Sequence, residues 1–481
     1  MKQSTAPEIN TTAPTLSRRS ASLSFWPLVA ATFFMVSGGT YGTEDIVRGA
    51  GYSRAIWVLL LTPVVWSLPT TLMIGELAAA MPSEGGFYAW VRRAMGNFWG
   101  FQEAWLSLVA SIFDMAIYPT LFVTYLARLV PWFGEGHRGI VVGAVMIASC
   151  ALLNIAGVYA VAETSLGLFI LLSAPFAVMT IVAPFRHGAL LHTAAPLNAP
   201  EVGFIGGMLV CMWNYMGWDN ASTVAVEVRD PQRTYPRAMM AAVAIVALSY
   251  VLPVAAVRFT GASPAMFTTG SWADLGGLIA GPWLRTYIVI AAMCSAFGMF
   301  NALVMSYSRL PLAMALDGMM PRVFSRLSAR TRAPWVSIIV LATAWAACLG
   351  IGFERLVTLD ILIYGASLML EFAALVVLRV REPEMPRPFR VPGGLGGAIA
   401  LGVCPALLLG FAVVRSEAER VAGMSSFIFG LLLIVAGFVA YWLGGLWRAR
   451  SQASRTSTAA GSGAFVEANS ISSISPSGSE K

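Results

Sequence analysis

Two carboxylates stand eleven residues apart in one apolar run, Glu103 and Asp114, and at about 100° per residue they fall within roughly 20° of one helical face. Ser107, Ser111 and Tyr118 share that face, so the run carries a single polar stripe. A second run repeats the device with Asp360, Tyr364, Ser367 and Glu371. Acids and hydroxyls in this pattern suit two chemistries, holding a cation and passing a proton. Lysine takes no part, because Lys2 and Lys481 lie at the ends, and His137, His187 and His192 all fall between apolar runs. Desolvation favours the protonated form of a carboxylate, which makes Glu103, Asp114 and Asp219 the candidates for proton coupling or gating. Glu103, Asp360 and Glu371 could instead pair with arginines or cap neighbouring helices.

Glycine and polar residues interrupt two further apolar runs, at Ser37-Gly38-Gly39-Thr40-Tyr41-Gly42 and at Trp213-Asn214-Tyr215-Met216-Gly217-Trp218-Asp219-Asn220. In a bilayer, backbone freed from helical hydrogen bonds is tolerated only where it is buried in protein or lines a cavity. Two such breaks in corresponding places point to a transporter's substrate site. The expected substrate-binding set is Ser37, Gly38, Gly39, Thr40, Gly42, Ser111, Asp114, Trp213, Asn214, Tyr215 and Trp218. Glu44-Asp45 after the first break and Asp219 after the second bring three acids toward that cavity, which then suits a cationic amine. Trp213, Tyr215 and Trp218 would wall it and attract an ammonium group through cation–π contact. Close helix packing at the small residues, and plain aromatic packing at the rings, are the alternatives.

The elements that position these residues follow from composition. With 57% hydrophobic and 11% charged residues over 481 positions, the chain reads as an all-α polytopic membrane protein. About twelve runs are long enough to cross roughly 30 Å of hydrocarbon. They lie at 25–48 (broken), 54–80, 98–127, 139–157, 161–184, 203–228 (broken), 238–257, 283–311, 334–352, 356–379, 396–414 and 424–447. With both ends placed in the cytoplasm, the inner segments hold 21 of the 31 basic residues, as the positive-inside rule requires. The formal charge of +7 is therefore a topology signal, with no nucleic-acid partner read into it. Five single cysteines lack metal-ligand spacing, and no histidine or cysteine is placed for nucleophilic work, so neither metal, cofactor nor enzymatic activity is expected.

Each broken run opens a set of five. Five is odd, so the second set runs upside down relative to the first, giving a five-plus-five inverted repeat with discontinuous helices 1 and 6. The expected organisation is a cytoplasmic tail at 1–23, a core at 24–395 (first repeat 24–200, second 201–395), two extra helices at 396–447 with a supporting or homo-oligomeric role, and a Ser-rich cytoplasmic tail at 448–481. The loop from Ser83 to Met95 is expected to hold an amphipathic helix, and the basic loop Leu316 to Arg332 is its partner in the second repeat.

These motifs resemble the amino acid–polyamine–organocation transporter superfamily over roughly Trp26 to Trp447. The first break with Glu44-Asp45, the run Phe98 to Glu103, Asp114 with Tyr118-Pro119, and the second break through Ser222 are similar to its plant and protozoan polyamine uptake branch. The resemblance implies the inverted-repeat fold and secondary active transport, often proton-coupled. It also implies backbone contacts to substrate at Ser37 to Gly39, an aromatic gate at Trp213, and an acid at Asp219 tied to gating or protonation. Two departures stand out. Many amino acid carriers have Gly-Ser-Gly where this chain has Ser37-Gly38-Gly39, and some proton-coupled members use a lysine in span 5 that this chain lacks. The expectation is a plasma-membrane importer of polyamines or related organic cations driven by a coupling ion, H+. Its rival is an amino acid permease of the same fold, holding a substrate carboxylate at the amides near Gly39.

Overall fold

A computed structural model describes residues 24–37, 39–82, 85–157, 161–193, 203–415, 420–421 and 423–445. Gly38, Ser83, Glu84 and both expected tails lie outside the described residues. The described chain is almost wholly helical: α1 (Phe25–Val36), α2 (Glu44–Thr62), α3 (Leu68–Ala80), α4 (Gly86–Met95), α5 (Asn97–Leu129), α6 (His137–Ala156), α7 (Val161–Val182), α8 (Phe204–Asn214), α9 (Pro231–Arg258), α10 (Trp272–Ala280), α11 (Pro282–Leu316), α12 (Trp335–Ala347), α13 (Phe353–Arg381) and α14 (Gly394–Arg415). A last helix, α15 (Ser426–Gly445), follows a two-stranded turn pairing Arg420–Val421 with Met424–Ser425.

Among the described residues, nine helical stretches are long and apolar enough to cross a bilayer, and α1 and α12 are shorter apolar helices. The protein is a multi-pass membrane protein. Helices α2 and α3 run on through a π turn at Pro63–Ser67, but Gly51 (φ 70°, ψ 164°) turns the chain inside α2. The first broken span and its successor therefore separate at Gly51, between their expected limits of 48 and 54.

Both expected breaks are present. The first separates α1 from α2, and there Gly39 takes a φ of 117° that a side chain would strain. The second separates α8 from a 3-10 helix at Trp218–Glu227, and Gly217 sits at the bend with a φ of 84°. Helix α5, long and largely buried, packs against α11 and α13 and brings its polar stripe against that of α13. Pro119 in its interior leaves a carbonyl one turn back without its donor, near Asp114 and Tyr118.

The expected amphipathic helix is α4, with buried Phe87, Tyr88, Trp90 and Val91 on one side. It is held to the loop after α11 by Tyr88 donating to Asp317 (2.7 Å) and by the Arg92–Asp317 ion pair, and to the end of α13 by Arg93–Glu382 (2.7 Å). Deeper, Glu76 on α3 pairs with Arg379 on α13, and Arg387 Nε lies 3.4 Å from Glu76 Oε1. Helix α10 was not among the expected elements, because its nine residues are too few to show as a span.

Candidate functional site

Around the two breaks lies a narrow cavity. Met35 and Val36 line it from α1, Asp114 and Tyr118 from α5, and Trp213, Met216, Gly217 and Asn220 from the second break. Tyr307 of α11 and Asp360 and Tyr364 of α13 complete the wall. Two of these residues are acids and none is basic.

Asp114 is held by three donors. Tyr118 Oη (3.0 Å) and Trp213 Nε1 (3.3 Å) donate to its Oδ1, and Tyr307 Oη (3.4 Å) donates to its Oδ2. Tyr118 reaches it because residues four apart on a helix stack on one face. Asp360 is buried against the cavity, and no hydrogen bond to a described residue engages it. Tyr364 ties α13 to the second break: its hydroxyl accepts from Gly217 N (3.2 Å) and donates to Asp219 Oδ1 (2.5 Å). Asp219 thus sits just behind the wall.

Glu103 lies about three turns from Asp114 on α5, outside the cavity lining. It accepts from Ser367 Oγ (2.5 Å) and Ser107 Oγ (3.3 Å), which joins the polar stripes of α5 and α13. The alternative of an arginine partner fails for Glu103, whose hydrogen bonds come from serines.

Gly39 N donates to Ser37 Oγ (3.1 Å), Thr40 Oγ1 donates to Ser249 O (2.8 Å), and Trp272 Nε1 donates to Thr40 O (3.1 Å). At Gly42 a Cβ would stand 3.3 Å from the Trp213 ring. Ser37 lines a narrow neighbouring cavity, which Tyr118 and Trp213 also line. Gly38, expected in the site, falls outside the described residues.

Several other expected residues are placed away from both cavities. Ser111 Oγ bonds its own helix at Leu108 O (2.7 Å), and Asn214 Nδ2 bonds Val210 O (2.9 Å). Tyr215 turns outward to donate to Leu59 O (2.8 Å) with its ring edge-on to Tyr250, and Trp218 Nε1 donates to Tyr215 O (2.8 Å). Of the three expected aromatic walls, Trp213 alone is in the lining. Glu44 and Asp45, expected to approach the cavity, are in neither lining: Glu44 accepts from Gly270 N (2.9 Å) and from the hydroxyl of Tyr125, which lines the second cavity, and Asp45 accepts from Thr269 Oγ1 (2.8 Å) in the connection leading to α10. Conversely, Tyr307 was not singled out, although the polar triplet Ser306-Tyr307-Ser308 in an apolar helix marks it.

Known proteins offer a comparison. A family model for amino acid permeases matches residues 28–440. Polyamine transporter RMV1 of Arabidopsis thaliana is 34% identical over 413 residues, covering 85% of this chain and 83% of that protein. Polyamine transporter PUT1 of Oryza sativa subsp. japonica is 35% identical over 417 residues, 85% of this chain and 77% of that protein. The serine/threonine exchanger SteT of Bacillus subtilis is 26% identical over 363 residues, 72% and 80% of the two chains. The match takes in both broken helices and the acids around the cavity, and the chain belongs to the amino acid permease family of the amino acid–polyamine–organocation superfamily.

Proposed function

We infer that the protein is a secondary active transporter of polyamines or related cationic amines, working by alternating access and coupled to protons. The observation that carries this reading is the pairing of Asp114 and Asp360 around a cavity whose lining has no basic side chain. One charge-assisted contact between an ammonium and a carboxylate contributes about 1.5–3 kcal/mol, and the Trp213 and tyrosine rings add cation–π attraction of about 0.5–2 kcal/mol each. Two relatives named as polyamine transporters support the same substrate class.

Alternating access in this reading moves two inverted sets of five helices, 24–200 and 201–395, about the breaks. Asp219, joined to the cavity wall through Tyr364, and Glu103, joined to α13 through Ser367, are the proton-coupling groups. Both termini lie in the cytoplasm and the protein sits in the plasma membrane. Helices α14 and α15 stand outside the repeat and expose apolar side chains such as Leu407 and Trp442, which suits lipid or a second copy of the chain.

The rival reading, an amino acid permease or exchanger, is favoured by the serine/threonine exchanger among the relatives. It needs free amides at the first break to hold a carboxylate, and Gly39 N is already bonded to Ser37 Oγ. The test is uptake by proteoliposomes under an inward proton gradient, comparing labelled putrescine and spermidine with leucine and arginine. Concentrative polyamine uptake that collapses with a protonophore supports the first reading; leucine or arginine uptake without polyamine uptake replaces it with the second.

A further inference from the structure

The second cavity sits beyond the first, and the rings of Tyr118 and Trp213 line both, so these two rings form the partition between them. We propose that the second cavity is an extension of the binding site that receives the far end of a long polyamine, with Glu44, which stands behind the Tyr125 wall in hydrogen bond with the Tyr125 hydroxyl, as the anion at its distal end. This deepens the cationic-amine reading and rests on it.

The geometry of α5 sets the scale. Asp114, Tyr118 and Tyr125 lie at spacings of four and seven residues, which places all three on one face, and Asp114 and Tyr125 are separated by about 16 Å along the axis. Asp114 and Tyr118 line the first cavity; Tyr118 and Tyr125 line the second. At the far end the Tyr125 hydroxyl donates to Glu44 Oε1. Glu44 is fully buried, and its other oxygen, Oε2, has no hydrogen-bond partner among the described residues. A buried carboxylate oxygen left this way is costly unless a cation or donor reaches it.

The walls between the two ends suit a methylene chain carrying ammonium groups. Tyr41 and Tyr125 meet edge-to-face with centroids 5.4 Å apart, and Ser37 and Ser295 add hydroxyls. An extended chain advances about 1.2 Å per bond, so a diamine such as putrescine spans about 6 Å, a triamine such as spermidine about 11 Å and a tetraamine such as spermine about 16 Å. The diamine is too short to reach from Asp114 to the Tyr125–Glu44 end. The tetraamine has the length to reach from Asp114 to the Tyr125–Glu44 end once the Trp213 ring swings aside.

The experiment is uptake of putrescine, spermidine and spermine by the full chain in proteoliposomes, for wild type, Glu44→Gln and Tyr125→Phe. Each variant is expected to raise the apparent KM for spermine about tenfold, the size of one charge-assisted hydrogen bond, and that for putrescine less than twofold. Putrescine uptake reports folding of each variant, and Tyr125→Phe carries the test if Glu44→Gln does not fold. A KM change equal across the three amines, or none, overturns the extension while leaving the cationic-amine reading intact. Wild-type uptake of none of the three overturns both.

Discussion

Trp213 donates its indole N–H to Asp114 across 3.3 Å, joining the second helix break to the polar stripe of α5. One residue therefore lines both cavities and donates to the acid that faces one of them. Tyr118 and Tyr307 also donate to this carboxylate, so it is surrounded by groups that can only be satisfied together by an acceptor. Asp114→Asn replaces one acceptor oxygen by a donor and removes the charge. Uptake of a cationic amine is expected to fall at least about tenfold, with a stability loss of about 1–3 kcal/mol from the mismatched donor. Unchanged uptake with unchanged pH dependence would remove Asp114 from the mechanism.

Tyr364 satisfies two groups with one hydroxyl, accepting from Gly217 N and donating to Asp219. Tyr364→Phe keeps the ring and strands a backbone N–H at the bend, which costs about 1–3 kcal/mol. The expected signature is a lower melting temperature together with a lower maximal uptake rate. A variant that melts lower yet transports at the wild-type rate would separate Tyr364 from the transport cycle.

Much of this arrangement is legible in the residues themselves. Gly39 and Gly217 mark the breaks because a bilayer tolerates unbonded backbone in few places, and the Asp114 and Asp360 stripes mark α5 and α13 because charge at membrane depth is expensive. Side-chain direction at the breaks was less legible. Helical periodicity assigns no face to non-helical backbone, so Trp213, Tyr215 and Trp218 look alike in the sequence, and the structure turns Trp213 inward while Tyr215 and Trp218 pack elsewhere. Glu44 and Asp45 were misplaced for a related reason. Gly270 and Thr269, which donate to them, lie some 225 residues away beside a short helix that hydropathy does not reveal, and Tyr125, the other donor to Glu44, lies 81 residues away on α5.

Glu76 and Arg379 form a fully buried pair, with relative side-chain exposures of 0% and 2%, and Val391 N donates to Glu76 at 2.7 Å. Removing the Glu76 charge leaves Arg379 and the neighbouring Arg387 without their counter-ion in the interior, so Glu76→Gln is expected to cost about 3–5 kcal/mol. Arg379→Met in the same background is expected to recover part of that loss, since it removes one of the two orphaned charges. Thermal unfolding of the detergent-solubilised variants measures both, and equal stability of Glu76→Gln and wild type would refute it.

Arg93 and Glu382 form an exposed pair outside the spans, and the Arg93 guanidinium holds the Glu382 carboxyl below its ordinary range against a smaller opposing effect of burial. A folded-state value below the unfolded one means that the pair stabilises above the unfolded carboxylate value, about 4.3, and that its contribution disappears as pH falls through the folded value. The melting-temperature difference between wild type and Arg93→Ala is accordingly expected to be small at pH 7, to shrink in high salt and to vanish in acid. A difference independent of both pH and salt would assign the effect to packing of the Arg93 stem.

Asp360 separates binding from stability. It is buried against the cavity and no described residue hydrogen-bonds to it, so the folded protein carries an acid that its own side chains do not compensate. Removing such a group relieves a desolvation cost, and Asp360→Asn is expected to leave the melting temperature equal or higher. If the group exists to meet a ligand ammonium, the same substitution removes one charge-assisted contact and weakens amine binding about tenfold. The two changes run in opposite directions, which a merely structural acid would not produce. Melting temperature and amine affinity measured on one preparation decide it: a variant that loses stability and affinity together would mean that Asp360 supports the fold, and the two-acid cavity would lose half of its basis.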